Sequence, residues 1–121
     1  MSNTREGRNG RFIDPQDIYD EVKIFQDQLK VDPENACPSE KLGSLLIKLT
    51  ENVMSSNSWN RYPYAQKQDM QSEALYRCMR ACRLAKLELG PKKLFSYFTR
   101  TVWLAFLNVV MRTYKQIERK N

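Results

Sequence analysis

Residues 95–112 read FSYFTRTVWLAFLNVVMR. Apolar side chains recur there at helical spacing, and they do so on two sides. At 100° per residue, Phe95, Phe98, Val102, Ala105, Phe106 and Val109 share one face, which is the core face. The opposite side holds Trp103, Leu107, Val110 and Tyr114, with Arg100 among them. An ordinary surface helix is polar opposite its core stripe. This helix is therefore either buried on two sides or presents an apolar face to a partner. Between the two apolar faces runs a strip of Tyr97, Thr101, Asn108, Arg112, Lys115 and Arg119. Hydroxyls, an amide, cations and an aromatic ring in one strip suit phosphates, base edges and a stacked base. An ordinary solvated stripe has the same composition.

The pattern predicts a helix over about Lys93 to Glu118, begun after the break at Gly90-Pro91. Upstream, a third helix is expected from Tyr64 to Leu87. Its inner face carries the small residues Ala74, Cys78, Ala81, Cys82 and Ala85, which let a neighbouring helix approach closely. Asp69, Glu73, Tyr76 and Arg80 lie on the other side, with Ser72 and Met79 at its edge. Paired acids beside a flexible thioether and an aromatic suit docking to a basic partner, and a plain exposed helix face reads the same way. Ser55 to Pro63 breaks the helical pattern. Before it, Ser39 can cap a second helix with the stripe Leu42, Leu45, Leu46, Leu49 and Val53. Asp14-Pro15 opens the first helix, whose stripe is Ile18, Val22, Phe25 and Leu29. No segment alternates as a strand does. The expected fold is all-α, four helices around one core in a single domain over residues 13–121, preceded by a disordered tail over 1–12.

With 121 residues, 41% of them hydrophobic and 28% charged, the chain is long enough for one real core. Its charge is divided unevenly. Residues 1–76 are net −3 and residues 77–121 net +9, giving +6 overall. A basic C-terminal third suits a polyanion, most often nucleic acid. There is no histidine, so Ser-His, Cys-His and His-metal chemistry are excluded. Cys37, Cys78 and Cys82 alone do not close a tetrahedral zinc site. No nucleophile–base constellation is present, and neither an enzyme nor a cofactor is expected. The most apolar run, Thr101 to Met111, is eleven residues between two arginines, short of the roughly 20 that span a bilayer. Neither a signal peptide nor a membrane is expected.

Residues 69–81 (DMQSEALYRCMRA) and 95–112 resemble, in order and spacing, the second conserved region of bacterial sigma factors. They are similar in particular to the small late-transcription sigma factors of large tailed bacteriophages. The resemblance is carried by Leu94-Phe95-Ser96-Tyr97-Phe98-Thr99, then Ala105-Phe106, then Arg112-Thr113-Tyr114-Lys115, and it extends over about residues 14–119. It implies a four-helix bundle of the sigma region-two type in the cytoplasm of an infected bacterial host. It implies docking on the clamp helices of the largest subunit of core RNA polymerase through Asp69, Ser72, Glu73, Leu75 and Met79, on the face that also holds Tyr76 and Arg80. It implies that the fourth helix recognises an AT-rich minus-ten-like promoter element and holds partly single-stranded DNA. Phe98 sits at the family's tyrosine position. Thr101 and Val102 sit where its tryptophan pair would be, with Trp103 one step on. Ala105 and Asn108 match positions that read the duplex edge. Lys92, Lys93 and Arg100 join Arg112, Lys115 and Arg119 as the cations near DNA. The C-terminal residues 116–121 (QIERKN) lack that family's acidic-hydrophobic sliding-clamp motif, and no coactivator is implied. Two other readings fit the same residues: a polymerase-binding regulator without promoter reading, and a virion-associated structural helical protein.

Overall fold

The computed structural model describes residues 12–120, with side chains through residue 116. Apart from Phe12, the tail expected over 1–12 lies outside the described residues. The described residues form four α-helices and no strand: α1 (Pro15–Val31), α2 (Glu40–Met54), α3 (Tyr64–Leu84) and α4 (Pro91–Lys120), with a 3-10 turn at Leu87–Leu89 before α4. The all-α expectation holds.

Local chemistry explains where the helices start. The Asp14 carboxylate accepts from the Gln16 N–H at 2.9 Å, and Pro15, which has no N–H to leave unsatisfied, opens α1. Ser39 accepts from the Leu42 N–H at 3.0 Å and itself donates to Glu21 of α1, so one hydroxyl caps α2 and ties it to its neighbour. Gly90, at φ 87°, takes the left-handed conformation that separates the 3-10 turn from α4.

α3 ends differently from expectation, at Leu84 rather than Leu87. Nothing in its own sequence stops it with a glycine cap. Instead Gln26 of α1 donates its amide protons to the Cys82 and Ala85 carbonyls, at 3.0 and 2.9 Å. A side chain more than 50 positions away thus satisfies two of the end carbonyls a helix leaves open.

The core is one cluster running from Ile13 to Val110. α3 and α4 form its most extensive pair, and α4 packs on all three other helices. Ala74, Cys78, Ala81 and Cys82 are buried in it, as their small size predicts. The 55–63 connection contributes more than a break. Trp59 folds back to 4% exposure, its ring 5.5 Å from Phe106 and 4.9 Å from Trp103, both edge-on. This also corrects the reading of Val110, which is buried rather than part of the outer apolar face. α4 is long and apolar enough over Pro91–Gln116 to cross a bilayer by length and composition, unlike the eleven-residue run considered from sequence. Arg100 and Arg112 interrupt that span, and one of its faces is the bundle core.

Burial governs the thiols. Cys78 and Cys82 are pushed up to about 12 from an ordinary 9.0, chiefly by loss of solvation, with Cys82 adding to the shift at Cys78. Cys37 is exposed. A disulfide reagent at neutral pH is expected to titrate Cys37 alone in the native protein, and all three cysteines in denaturant. Because the folded-state values are raised, the stability carried by the two buried thiols is full below pH 9.0 and is lost as pH rises toward 12. Rapid reaction of all three cysteines in the native state would contradict the packing of α3 on α4.

Candidate functional site

The outer surface of α3 is built by helical spacing. Asp69, Ser72, Tyr76 and Arg80 are exposed on it. The Arg80 guanidinium lies 5.8 Å from the centre of the Tyr76 ring, within reach of a cation–π contact. Tyr76 separates two shallow grooves. One, of about 410 Å³, is polar and runs toward α4 between Asp69, Ser72, Glu73 and Arg112. The other, of about 280 Å³, runs toward α1 beside Met79 and Arg80. Leu75 and Met79 are half-buried and packed on the core. Met79 reaches over α2 at Gly43, where a Cβ would lie 3.9 Å from its terminal methyl.

Glu73 is committed within the fold. Arg77 donates to it at 2.9 Å, and the Arg112 guanidinium of α4 lies 3.6 Å away. Hydrogen-bond complementarity turns the Asn108 amide so that its oxygen accepts from both terminal nitrogens of Arg77, at 2.9 and 2.8 Å. Arg77, Glu73, Asn108 and Arg112 therefore clasp α3 to α4. From sequence, Glu73 falls on one surface and Asn108 and Arg112 on another, and Arg77 has no role in either. The Glu73–Arg77 spacing of four was the available signal.

The clasp changes what these groups can do. A carboxylate between two guanidiniums has little charge left for a basic partner, so Asp69 is the acid on α3 with no ion pair among the described residues. Bidentate reading of adenine needs both ends of an amide. With its oxygen held by Arg77, Asn108 retains only its N–H donors. The Thr101 hydroxyl donates to the Tyr97 carbonyl at 2.9 Å and so faces a ligand only as an acceptor.

On α4 the structure separates ring from ring. Phe98 is 0% exposed and belongs to the core, so the expectation that it meets DNA is corrected: it has no face for a base. Tyr97, next in sequence, is 42% exposed with its ring 5.6 Å from that of Phe98. Trp103 is 41% exposed but has one side against Trp59. Lys92, Lys93, Arg100, Arg112 and Lys115 are exposed, and Thr101 is half-buried. Arg119 is on the helix, but its side chain lies outside the described residues. Lys92 and Lys93 occupy the first turn, which contains no acid. Helix N-termini normally attract acids. Two lysines there, together with the open backbone amides, make a strongly positive end suited to phosphate. Among the described residues no cluster of three or more His, Cys, Asp or Glu side chains is placed to hold a metal.

No protein-family model, curated protein or solved structure matches the chain, so a functional reading rests on these residues.

Proposed function

We propose that this chain is a minimal phage-type sigma factor. It docks on core RNA polymerase through the outer surface of α3 and contacts an AT-rich promoter element with α4, in a bundle of the sigma region-two type. One observation carries the reading. The exposed Tyr97 ring lies one turn from Lys93 and follows the Lys92-Lys93 start of α4, on a stretch from Pro91 to Gln116 that contains no acid. Cations that neutralise phosphates beside a ring that stacks an unpaired base are the parts needed to hold a melted strand.

In this reading the protein performs no chemistry. Lys92, Lys93, Arg100 and Lys115 act on the backbone, Arg112 does so while remaining in the clasp, and Tyr97 supplies the stacking surface. Asp69, Ser72, Tyr76 and Arg80 meet the polymerase. Such a factor works in the cytoplasm of an infected bacterium.

Permanganate footprinting of promoter DNA in the polymerase complex tests this. Thymines near the start site are expected to react with the wild-type protein. Reactivity should fall about tenfold with Tyr97→Ala, since stacking of one base contributes about 1–3 kcal/mol. Equal reactivity would remove Tyr97 from the mechanism. Absence of reactivity with the wild type would favour a polymerase-binding regulator that does not open DNA.

A further inference from the structure

The outward side of α4 carries a second pattern beside the cationic strip. Tyr97, Arg100, Leu104, Leu107, Met111 and Tyr114 follow one another at spacings of three, four, three, four and three. That is an a/d heptad repeat over nearly three heptads, the seam of a helix packed along its length against another helix. Five of the six are large apolar or aromatic residues, and all five are exposed, Leu107 at 45% and Met111 at 51%. The core of this chain does not use them. With the neighbouring Trp103, which is 41% exposed, they form one continuous outward apolar stripe along α4.

We propose that this seam is a docking site for an amphipathic helix of a partner protein, apolar at its own a and d positions and acidic along its flanks. Charge selects that occupant. Between Pro91 and Gln116 α4 has five cations, Lys92, Lys93, Arg100, Arg112 and Lys115, and no acid. Arg100 stands in the seam itself, and Lys115 follows Tyr114 along its edge. A second copy of this chain would bring the same cations against these, and like charges across an interface oppose pairing. Nucleic acid would satisfy the cations but leaves Leu104, Leu107 and Met111 against nothing apolar. A lipid surface suits a broad apolar face rather than a heptad seam with an arginine inside it. The site shares Tyr97, Arg100 and Lys115 with the proposed DNA contact, so a partner helix and DNA would occupy this face in turn, and binding of the helix does not depend on the promoter reading.

The test is fluorescence anisotropy with a labelled three-heptad helical peptide, Leu at a and d and Glu at e and g. The control is the same peptide with Lys replacing Glu. The Glu peptide is expected to bind at micromolar concentration and the Lys peptide at least tenfold more weakly. Leu107→Asp should weaken the Glu peptide at least tenfold, with an unchanged circular dichroism spectrum. If Leu107→Asp unfolds, Arg100→Glu with Lys115→Glu decides: that double variant should reverse the peptide preference. Loss of DNA binding by the wild type would count against the promoter reading alone. Equal binding of both peptides, or of neither, would overturn the proposal. So would a wild-type chain that sediments as a dimer through this face, or one that pellets with phosphatidylcholine–phosphatidylserine vesicles while ignoring the Glu peptide.

Discussion

Phe98→Ala is expected to cost about 3–5 kcal/mol of stability, the usual range for removing a buried aromatic ring. Phe98 is fully enclosed, within the cluster that joins α4 to the rest of the bundle. Truncation loses the transfer energy of the ring and leaves a cavity behind. Tyr97→Ala, one position away, should cost less, about 1 kcal/mol, because Tyr97 remains 42% exposed to solvent. Urea denaturation of the two variants measures the difference. A loss below about 1 kcal/mol for Phe98→Ala would mean that the ring is outside the core. The pair of variants matters for function as well. The resemblance to sigma factors places Phe98 at a base-contacting position, whereas of the two rings only that of Tyr97 has an exposed face. A melting defect in Phe98→Ala would therefore report unfolding.

The second large effect concerns α3. Asp69→Lys is expected to reduce co-sedimentation with core RNA polymerase at least tenfold while leaving the thermal transition unchanged. Asp69 is exposed and has no ion pair among the described residues, so reversing it costs the fold little and acts directly on a charged partner. Glu73→Lys is the instructive contrast. It places a third cation against Arg77 and Arg112 and removes the acceptor that holds them, so it should destabilise the α3–α4 contact. A Glu73 variant that fails to bind polymerase is thus ambiguous, and the Asp69 variant is not. Wild-type recruitment by Asp69→Lys would place the docking surface elsewhere.

How far these roles could be read from sequence depended on the range of the interactions. Asp14-Pro15, Ser39 and Gly90-Pro91 mark their helix boundaries because capping and turn chemistry is local. The core faces of the four helices were legible for the same reason, since periodicity needs no knowledge of the neighbour. The end of α3 was not, because the group that caps it, Gln26, belongs to another helix. Trp59 looked like a loop residue until the chain reversal brought it onto Phe106 and Trp103. The clasp of Arg77, Glu73, Asn108 and Arg112 required the register of α3 against α4, which a single-helix wheel does not contain. That is why Asn108 appeared free to read a base edge. The outer face of α4 is not buried on a second side: Trp103, Leu104, Leu107, Met111 and Tyr114 face outward, and Val110 turns inward.

Run-off transcription with purified bacterial core RNA polymerase tests the central claim most directly. The templates are upstream regions from the genome that encodes this chain, and the protein is added or withheld. A discrete transcript from an AT-rich start region is expected only when the protein is present, and Asp69→Lys should remove it. Core polymerase that neither binds the wild-type protein nor initiates specifically in its presence would contradict the sigma-factor reading.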